Sequence, residues 1–550
     1  MKLFSILLRI SPLKWQRILE DSKMIKGILI KIQLIIFDGL TKEFCISGHL
    51  FFKEVMRLRK SGGALTLALY LKQCASSLMI AYGGDRRPHS LLSHPVSLIR
   101  SGYPRIIPAF HRCMIRRHDE RADIIVKWYL SLFSLFRIIL LASKVTRSTF
   151  KSITSPVEDI SQVVSVVGSI KGRVSTLFDR YVPELRTIPL NQGLVWEPTW
   201  KTVPTMALAN KVLVNRKRQA GIRERGLRSF FPTLIFEMAS YGSVLQHIHS
   251  AGQQWSSGVL WPFRTRNALA KMNGRFTEID LEAFEAQIGP YLPTSDRLGL
   301  PMVIGRLGQS IQQGTKRRLF SMGHFFNQRL LHPLHQWCAD VLKVIPMDGT
   351  FNQEEPLDRL IGNQTCYCVD RVAIESHYAH GTPIGRTVKA PSHVVFCAGQ
   401  PLGLKSSWPL FALSHHFMVW YAAHKVYPYT KFDKYAVLGD DVIICDDRVA
   451  AEYLKALEDV QVQISVSKSL VSHSGAGEFA KRFRVRGLSV DLSPISFAAL
   501  LNYSHPYGLC AIANKYRPKR FSTLCRIGVW AIDHCQNVII LFLVSSLDSK

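Results

Sequence analysis

Acidic side chains are scarce in this 550-residue chain: 40 Asp and Glu stand against 70 Lys and Arg, a formal charge of +30. The pI near 9.8 argues for a polyanionic partner, either nucleic acid or an anionic membrane surface. A merely solubilising surface is the bland alternative, but small soluble domains carry far less net charge. The 11 cysteines are scattered, with only Cys366 and Cys368 close together. No CxxC pair occurs, which leaves little support for a zinc site, and an odd count in a long chain suits reduced thiols in an intracellular compartment. Long apolar runs are lacking too. "FSLFRIILLA" is interrupted by Arg137 and "VIILFLV" is short, whereas a bilayer span needs about 17 to 25 apolar residues. No integral membrane span is therefore expected. Internal repeats and low-complexity tracts are also missing, and the 26 prolines are spread so that no linker stands out.

What is present is enough apolar residue, 47%, to bury a large core divided into several subdomains. The first twenty residues carry Lys2, Arg9, Lys14 and Arg17 before their first acid, Glu20. That pattern fits an amphipathic organelle-targeting leader and equally an ordinary first helix. From Gly63 to about Ser152 the pattern is mostly helical, and Pro104 and Pro108 in "GYPRIIPAFHR" interrupt it, since proline excludes a continuous helix. "VNRKRQAGIRERGLR" (Val214 to Arg228) is crowded with cations and reads either as a solvated helix face or as a phosphate-contacting one. Farther on, Gly314, Lys316, Arg317 and Arg318 share one short loop-like element before an amphipathic helix. Cations clustered at a Gly-bearing bend can neutralise a triphosphate; on a free surface they would do nothing special.

Against this basic background, "YAVLGDDVIICDD" places Asp440 and Asp441 side by side between two apolar runs. The flanks, Tyr435 to Leu438 and Val442 to Cys445, read as strands, and Gly439-Asp440-Asp441 reads as the turn between them. An acidic hairpin turn is the ordinary reading of those three residues alone. Two like charges about 4 Å apart, however, repel by roughly 4 kcal/mol at an effective dielectric near 20. A cation relieves that repulsion, and magnesium, which prefers oxygen ligands and keeps positions open for phosphate, suits the place. Nucleotidyl transfer needs another carboxylate on a neighbouring strand. Asp370, at the end of the strand-like "CYCVD", supplies one.

Between these acids lies "FCAGQPLGLKSSWPLFALSHHFMVWYAAHKV", where Gly399 and Gly403 frame a loop and Ser406 and Ser407 introduce a long apolar helix. Backbone N–H groups and hydroxyls at such a helix start suit a sugar-phosphate and a ribose 2′-OH; a helix N-cap by Ser is the plainer reading. His415 and His416 are adjacent on that helix and are read as structural. Downstream, Lys468 is a candidate general acid towards pyrophosphate, or an exposed strand lysine. Glu478, Lys481, Arg482 and Arg484 mark a charged second hairpin.

Taken in order, "GYPRIIPAFHR", "WYLSLFSLFR", "GRLGQSIQQGTKRR", "LHPLHQW", "PMDGTFNQEEPLDRL", "GQPLGLKSSWPLFALSHHF", "LGDD" and "ISVSKSLVSHSGAGEFAKRF" resemble the RNA-dependent RNA polymerases of mitoviruses and their relatives captured in plant mitochondrial genomes. The resemblance implies an α+β right-hand polymerase with largely helical fingers, an antiparallel palm sheet and a thumb. It also implies Mg²⁺-dependent RNA synthesis in mitochondria, with an RNA template and ribonucleoside triphosphates as partners. By it, Asp370, Asp440 and Asp441 correspond to the catalytic, metal-binding palm aspartates. Lys316, Arg318, Ser406, Ser407 and Lys468 correspond to nucleotide-binding positions, and Arg317, Gly399, Gly403, Lys481 and Arg482 to RNA-binding ones. The expected divisions are a basic extension at 1–60, fingers and N-terminal helices at 61–345, palm at 346–490 and a short thumb at 491–550.

One stretch departs from the family pattern. From Asp370 to Gly399 is only 29 positions, and the second aspartate and the helix that normally follow the first palm aspartate are not recognisable in 371–398. Asp348 in "MDGTF" belongs to a different motif and is no substitute. A deletion or frame disruption would explain the shortening, and the alternative function is then a non-catalytic RNA-binding remnant of such a polymerase. A reverse transcriptase or maturase ranks lower, because those carry Tyr-x-Asp-Asp where this chain has Leu438-Gly439 ahead of Asp440.

Overall fold

Apolar residues with helical spacing build the N-terminal part of the chain. In the computed structural model, which describes residues 22–84, 95–139, 160–188, 305–311, 317–323, 328, 331–370, 379–381, 392–394, 403–462, 464, 469–501, 503 and 506–528, the helices α1 (Ser22–Phe37) and α2 (Lys42–Tyr82) come first. Gly63, with φ +77°, kinks α2, a conformation open to glycine at little cost. The expected boundary at residue 60 thus falls inside a helix. Pro108 sits at the N-cap of α3 (Ala109–Arg116), where its missing N–H matters least. Within the stretch read as mostly helical, α4 (Ala122–Phe133) passes into a 3₁₀ segment at Ser134–Ile138. Helices α5 (Ile160–Lys171) and α6 (Val174–Tyr181) follow.

A two-stranded antiparallel sheet pairs β1 (Gly305–Ile311) with β2 (Arg317–Gly323). The basic element read as a loop is therefore a hairpin with Arg317 and Arg318 on its second strand. Its cations obscured the strand pattern, which is set by cross-strand pairing such as Ser310 with Arg318. Next come α7 (His332–Lys343), β3 (Cys366–Asp370) and a small pair, β4 (Ala379–Gly381) with β5 (Ser392–Val394). Then follow α8 (Ser407–Val426), β6 (Tyr435–Leu438), β7 (Asp441–Ile444), α9 (Asp447–Asp459) and β8 (Leu470–Ser472). The hairpin β9 (Gly477–Phe479) and β10 (Arg482–Val485) carries β11 (Val490–Asp491) on its edge. Helices α10 (Pro506–Tyr516) and α11 (Phe521–Ile527) close the described chain.

The central sheet is antiparallel in the order β6-β7-β3-β8. Its strands read as continuous apolar runs because both faces are buried, and alternate residues point to opposite sides. Cys366, Cys368, Ala436, Ile443 and Cys445 face one core, shared with α1, α2 and α4. Val369, Tyr435, Val437, Val442 and Ile444 face a second core built with α6, α7, α8 and α9. Each fully buried aliphatic side chain contributes roughly 1.5–3 kcal/mol, and a one-residue slip would turn each set into the core packed for the other.

One described helix, α2, is long and apolar enough to cross a membrane. In this fold Phe44, Phe51, Val55, Leu67, Leu71 and Leu78 of that helix pack into the first core.

Candidate active site

The acidic turn is tighter than its sequence suggests. Leu438 pairs directly with Asp441, leaving only Gly439 and Asp440 in the turn, and Asp441 begins β7. Two-residue hairpin turns match strand twist when the first position has positive φ; Gly439 has φ +60°. Space imposes the same choice. A Cβ on Gly439 would lie 2.2 Å from Cη2 of Trp408.

Across the sheet, β3 runs antiparallel to β7 with Asp370 opposite Asp441. Directly opposed positions in such a ladder have Cα atoms about 4.5–5.5 Å apart and share one face. The register therefore places three carboxylate-bearing positions, 370, 440 and 441, at one end of the sheet. Asp440 and Asp441 are both half-buried, and all three offer the hard oxygen donors that magnesium prefers. Among the described residues, no three His, Cys, Asp or Glu side chains form a metal cage by themselves.

Helix α8 holds the turn from below. His415 is fully buried; its Nδ1 lies 2.6 Å from the Gly439 carbonyl oxygen and its Nε2 2.6 Å from the Tyr453 hydroxyl. A carbonyl only accepts, so the proton sits on Nδ1, and in the neutral ring Nε2 accepts from Tyr453. His416, also fully buried, faces a different set. Its Nε2 donates to Asp348 Oδ2 at 3.1 Å, and its Nδ1 lies 3.0 Å from the Tyr435 hydroxyl. Burial pushes the Tyr435 phenol far above its ordinary range, so it stays protonated and donates to Nδ1 while accepting from Trp420 Nε1 at 2.5 Å. Asp348 also accepts from the Thr350 amide at 2.8 Å, and residues 347–349 bond to Val437 along the outer edge of β6. Asp348 is thus tied into a buried network, and the two histidines are structural, as their adjacency on the helix implies.

The loop before α8 is seated on the basic hairpin. Gly403 has φ +107°, and a Cβ there would lie 2.1 Å from the carbonyl oxygen of Ser321 in β2. Gln328 clasps the same loop: its Nε2 donates to the Gly403 carbonyl at 2.9 Å and its Oε1 accepts from the Lys405 amide at 2.7 Å. Ser406 occupies the N-cap of α8 without a side-chain capping bond. The Ser407 hydroxyl donates to the Leu404 carbonyl at 2.8 Å, and both serines are buried. The same segment thus meets β2 at Gly403 and, five residues on, the acidic turn at Trp408. Sequence reasoning missed Trp408, Gln328 and Tyr453; for the last two no local pattern distinguishes them.

Lys481 lies in the β9–β10 turn at φ +65° and is exposed. Arg482 is paired with Glu354, and with Asp491 at 3.5 Å, while Arg484 pairs with Asp358 at 2.6 Å. Lys316, Gly399 and Lys468 lie outside the described residues, as do the side chains of Arg317, Arg318 and Asp370.

Comparison with known proteins assigns the chain to a class of polymerases. Residues 239–373 and 384–537, more than half of the chain, match the family Mitovirus RNA-dependent RNA polymerase, and the chain belongs to that family. Residues 1–92 match a second family, Uncharacterized mitochondrial protein AtMg01050. Among individual relatives, the Uncharacterized mitochondrial protein AtMg01110 of Arabidopsis thaliana is 39% identical over 34% of this chain and 88% of its own length. The RNA-directed RNA polymerase of Cryphonectria parasitica mitovirus 1 is 33% identical over 39% of this chain but only 29% of its own length. The Arabidopsis protein AtMg01410 is 39% identical over 23% of this chain and 76% of its own length. The family match breaks between 373 and 384, immediately after the strand that ends in Asp370.

Proposed function

We propose that the chain is built for templated RNA synthesis by nucleotidyl transfer at the turn formed by Gly439 and Asp440. The observation that carries this reading is the register that sets Asp370 opposite Asp441, one residue from Asp440. In the right-hand description, the β6-β7-β3-β8 sheet is the palm, the basic hairpin and N-terminal helices belong to the fingers, and the segment after residue 491 is a short thumb. The mitochondrial names of the Arabidopsis relatives and the mitovirus polymerase support action in mitochondria.

Asp370, Asp440 and Asp441 would hold Mg²⁺, which when bound lowers the pKa of an attacking hydroxyl and stabilises a departing pyrophosphate. The other roles fall to the chain's own residues. Lys316 and Arg318 neutralise the incoming triphosphate. Ser406 and Ser407, at the start of α8, lie where a ribose would be judged. Lys468 is the candidate proton donor to pyrophosphate, and Arg317, Gly399, Gly403, Lys481 and Arg482 line the path of RNA. His415 keeps the turn rigid, so that the carboxylates need not reorganise during reaction.

A second reading is an RNA-binding remnant that has lost the chemistry. It is favoured by the interrupted family match and by the short stretch 371–398, in whose sequence the expected second aspartate and helix are not recognisable. The two readings separate on purified protein with a primed RNA template, ribonucleotides and Mg²⁺. The polymerase reading expects incorporation that falls by about 100-fold or more in Asp440→Asn with RNA affinity unchanged. Absence of incorporation on several templates, with salt-sensitive RNA binding retained, establishes the remnant instead.

A further inference from the structure

On the far side of the β9–β10 turn lies a cleft of about 620 Å³, within the range of small-ligand sites. Six cations converge on it from separate elements: Lys127 of α4, Arg137 of the 3₁₀ segment, Lys481 and Arg482 of the β9–β10 hairpin, and Lys515 and Arg517 at the end of α10. Among the described lining residues there is a single carboxylate, Asp491. That group is already engaged, accepting from the Ser493 amide at 2.7 Å and pairing with Arg482 at 3.5 Å. Lys127 reaches only the Asp491 backbone carbonyl, at 3.1 Å. Arg137, Lys481, Lys515 and Arg517 form no ion pair with a described residue.

Three of these cations, Lys127, Arg137 and Arg482, are half-buried, and cations facing one another in such a place are costly unless a counter-charge joins them. Burial holds Lys127, Arg137 and Lys515 below their ordinary ranges; Arg482 and Arg137 depress Lys515 further, and Asp491, Glu354 and Glu478 offset these effects only in part. These residues do not form an open stripe of the kind that tracks a nucleic-acid backbone. They close around one concavity with apolar walls at Ile35, Ile124 and Ile495, a shape suited to a compact group bearing several charges.

We infer that this cleft is a second anion site that takes a terminal oligophosphate, carried by a free nucleotide or by the 5′ end of an RNA. It shares Lys481 and Arg482 with the RNA path proposed above but uses none of the palm carboxylates, so it stands whether or not the chain polymerises RNA.

The test uses the full chain and inorganic tripolyphosphate, followed by calorimetry, with a 5′-triphosphorylated RNA and its 5′-hydroxyl counterpart as further probes. Tripolyphosphate should bind, and its affinity should fall about tenfold or more in the double variant Lys515→Gln/Arg517→Gln, two exposed positions whose loss leaves the core intact. Lys127→Gln should weaken it similarly, and Asp440→Asn should not. A preference for the triphosphorylated RNA assigns the site to an RNA end; competition by ATP without that preference assigns it to a free nucleotide. No tripolyphosphate binding, or binding unchanged in both the double variant and Lys127→Gln, overturns the inference.

Discussion

His415 Nδ1 lies 2.6 Å from the carbonyl oxygen of Gly439, so the acidic turn is anchored through its backbone by a histidine buried in α8. Because Nε2 of the same ring meets Tyr453 of α9 at 2.6 Å, one side chain ties a helix, a turn and a second helix together. Substitution by Phe removes both bonds and leaves a buried carbonyl and hydroxyl unpaired. His415→Phe should lose roughly 1–3 kcal/mol of stability, read by chemical denaturation. If the chain is active, incorporation should fall more than the stability loss explains.

Gly439 is required twice, by its φ of +60° and by Trp408, and the two requirements are separable. Gly439→Ala should destabilise by more than the roughly 1–2 kcal/mol of a left-handed non-glycine residue. Adding Trp408→Ala should recover the excess, because the steric clash is gone, but not the backbone contribution. A double-mutant cycle measures the difference, and coupling near zero would refute the contact.

Gly403 and Ser321 provide a third check. With the Ser321 carbonyl 2.1 Å from a would-be Cβ, Gly403→Ala must push the loop away from β2 and break the Gln328 clasp. Faster amide hydrogen exchange at Lys405 is expected, together with a raised KM for nucleotide in an active preparation. Gln328→Ala should reproduce the exchange change without the steric insult.

Acid sensitivity should originate in the N-terminal helices. His111 is fully buried, with Nε2 2.7 Å from Glu43 and Nδ1 2.6 Å from the Tyr129 hydroxyl. Burial lowers its pKa below the ordinary 6.5, outweighing the opposing pull of Glu43. The unfolded chain then binds the proton more readily, so stability is lost as pH falls below about 6.5. Denaturation midpoints measured between pH 7.5 and 5.5 should decline less steeply in His111→Gln than in the unsubstituted chain.

The central sheet was legible because its chemistry is local. "YAVL" and "DVII" are too apolar and too short for anything but buried strands, and "CYCVD" forms the strand that its apolar run implies. The basic hairpin at Arg317 and Arg318 was less legible, since its strand character arises from pairing with residues 305–311 rather than from alternation. His415 and His416 illustrate the same limit. Adjacency on a helix separates their faces, but not their partners, which lie at Gly439, Tyr453, Tyr435 and Asp348.

By itself the sequence determined the basic character, the ordered series of motifs and the acidic turn, all properties of residue type and short spacing. Tertiary structure alone decided the register that sets Asp370 directly opposite Asp441, that Asp348 is absorbed into a buried network, and that six distant cations close on one cleft. Those outcomes depend on strand register and on contacts between segments far apart in the chain, and neither composition nor local periodicity encodes them.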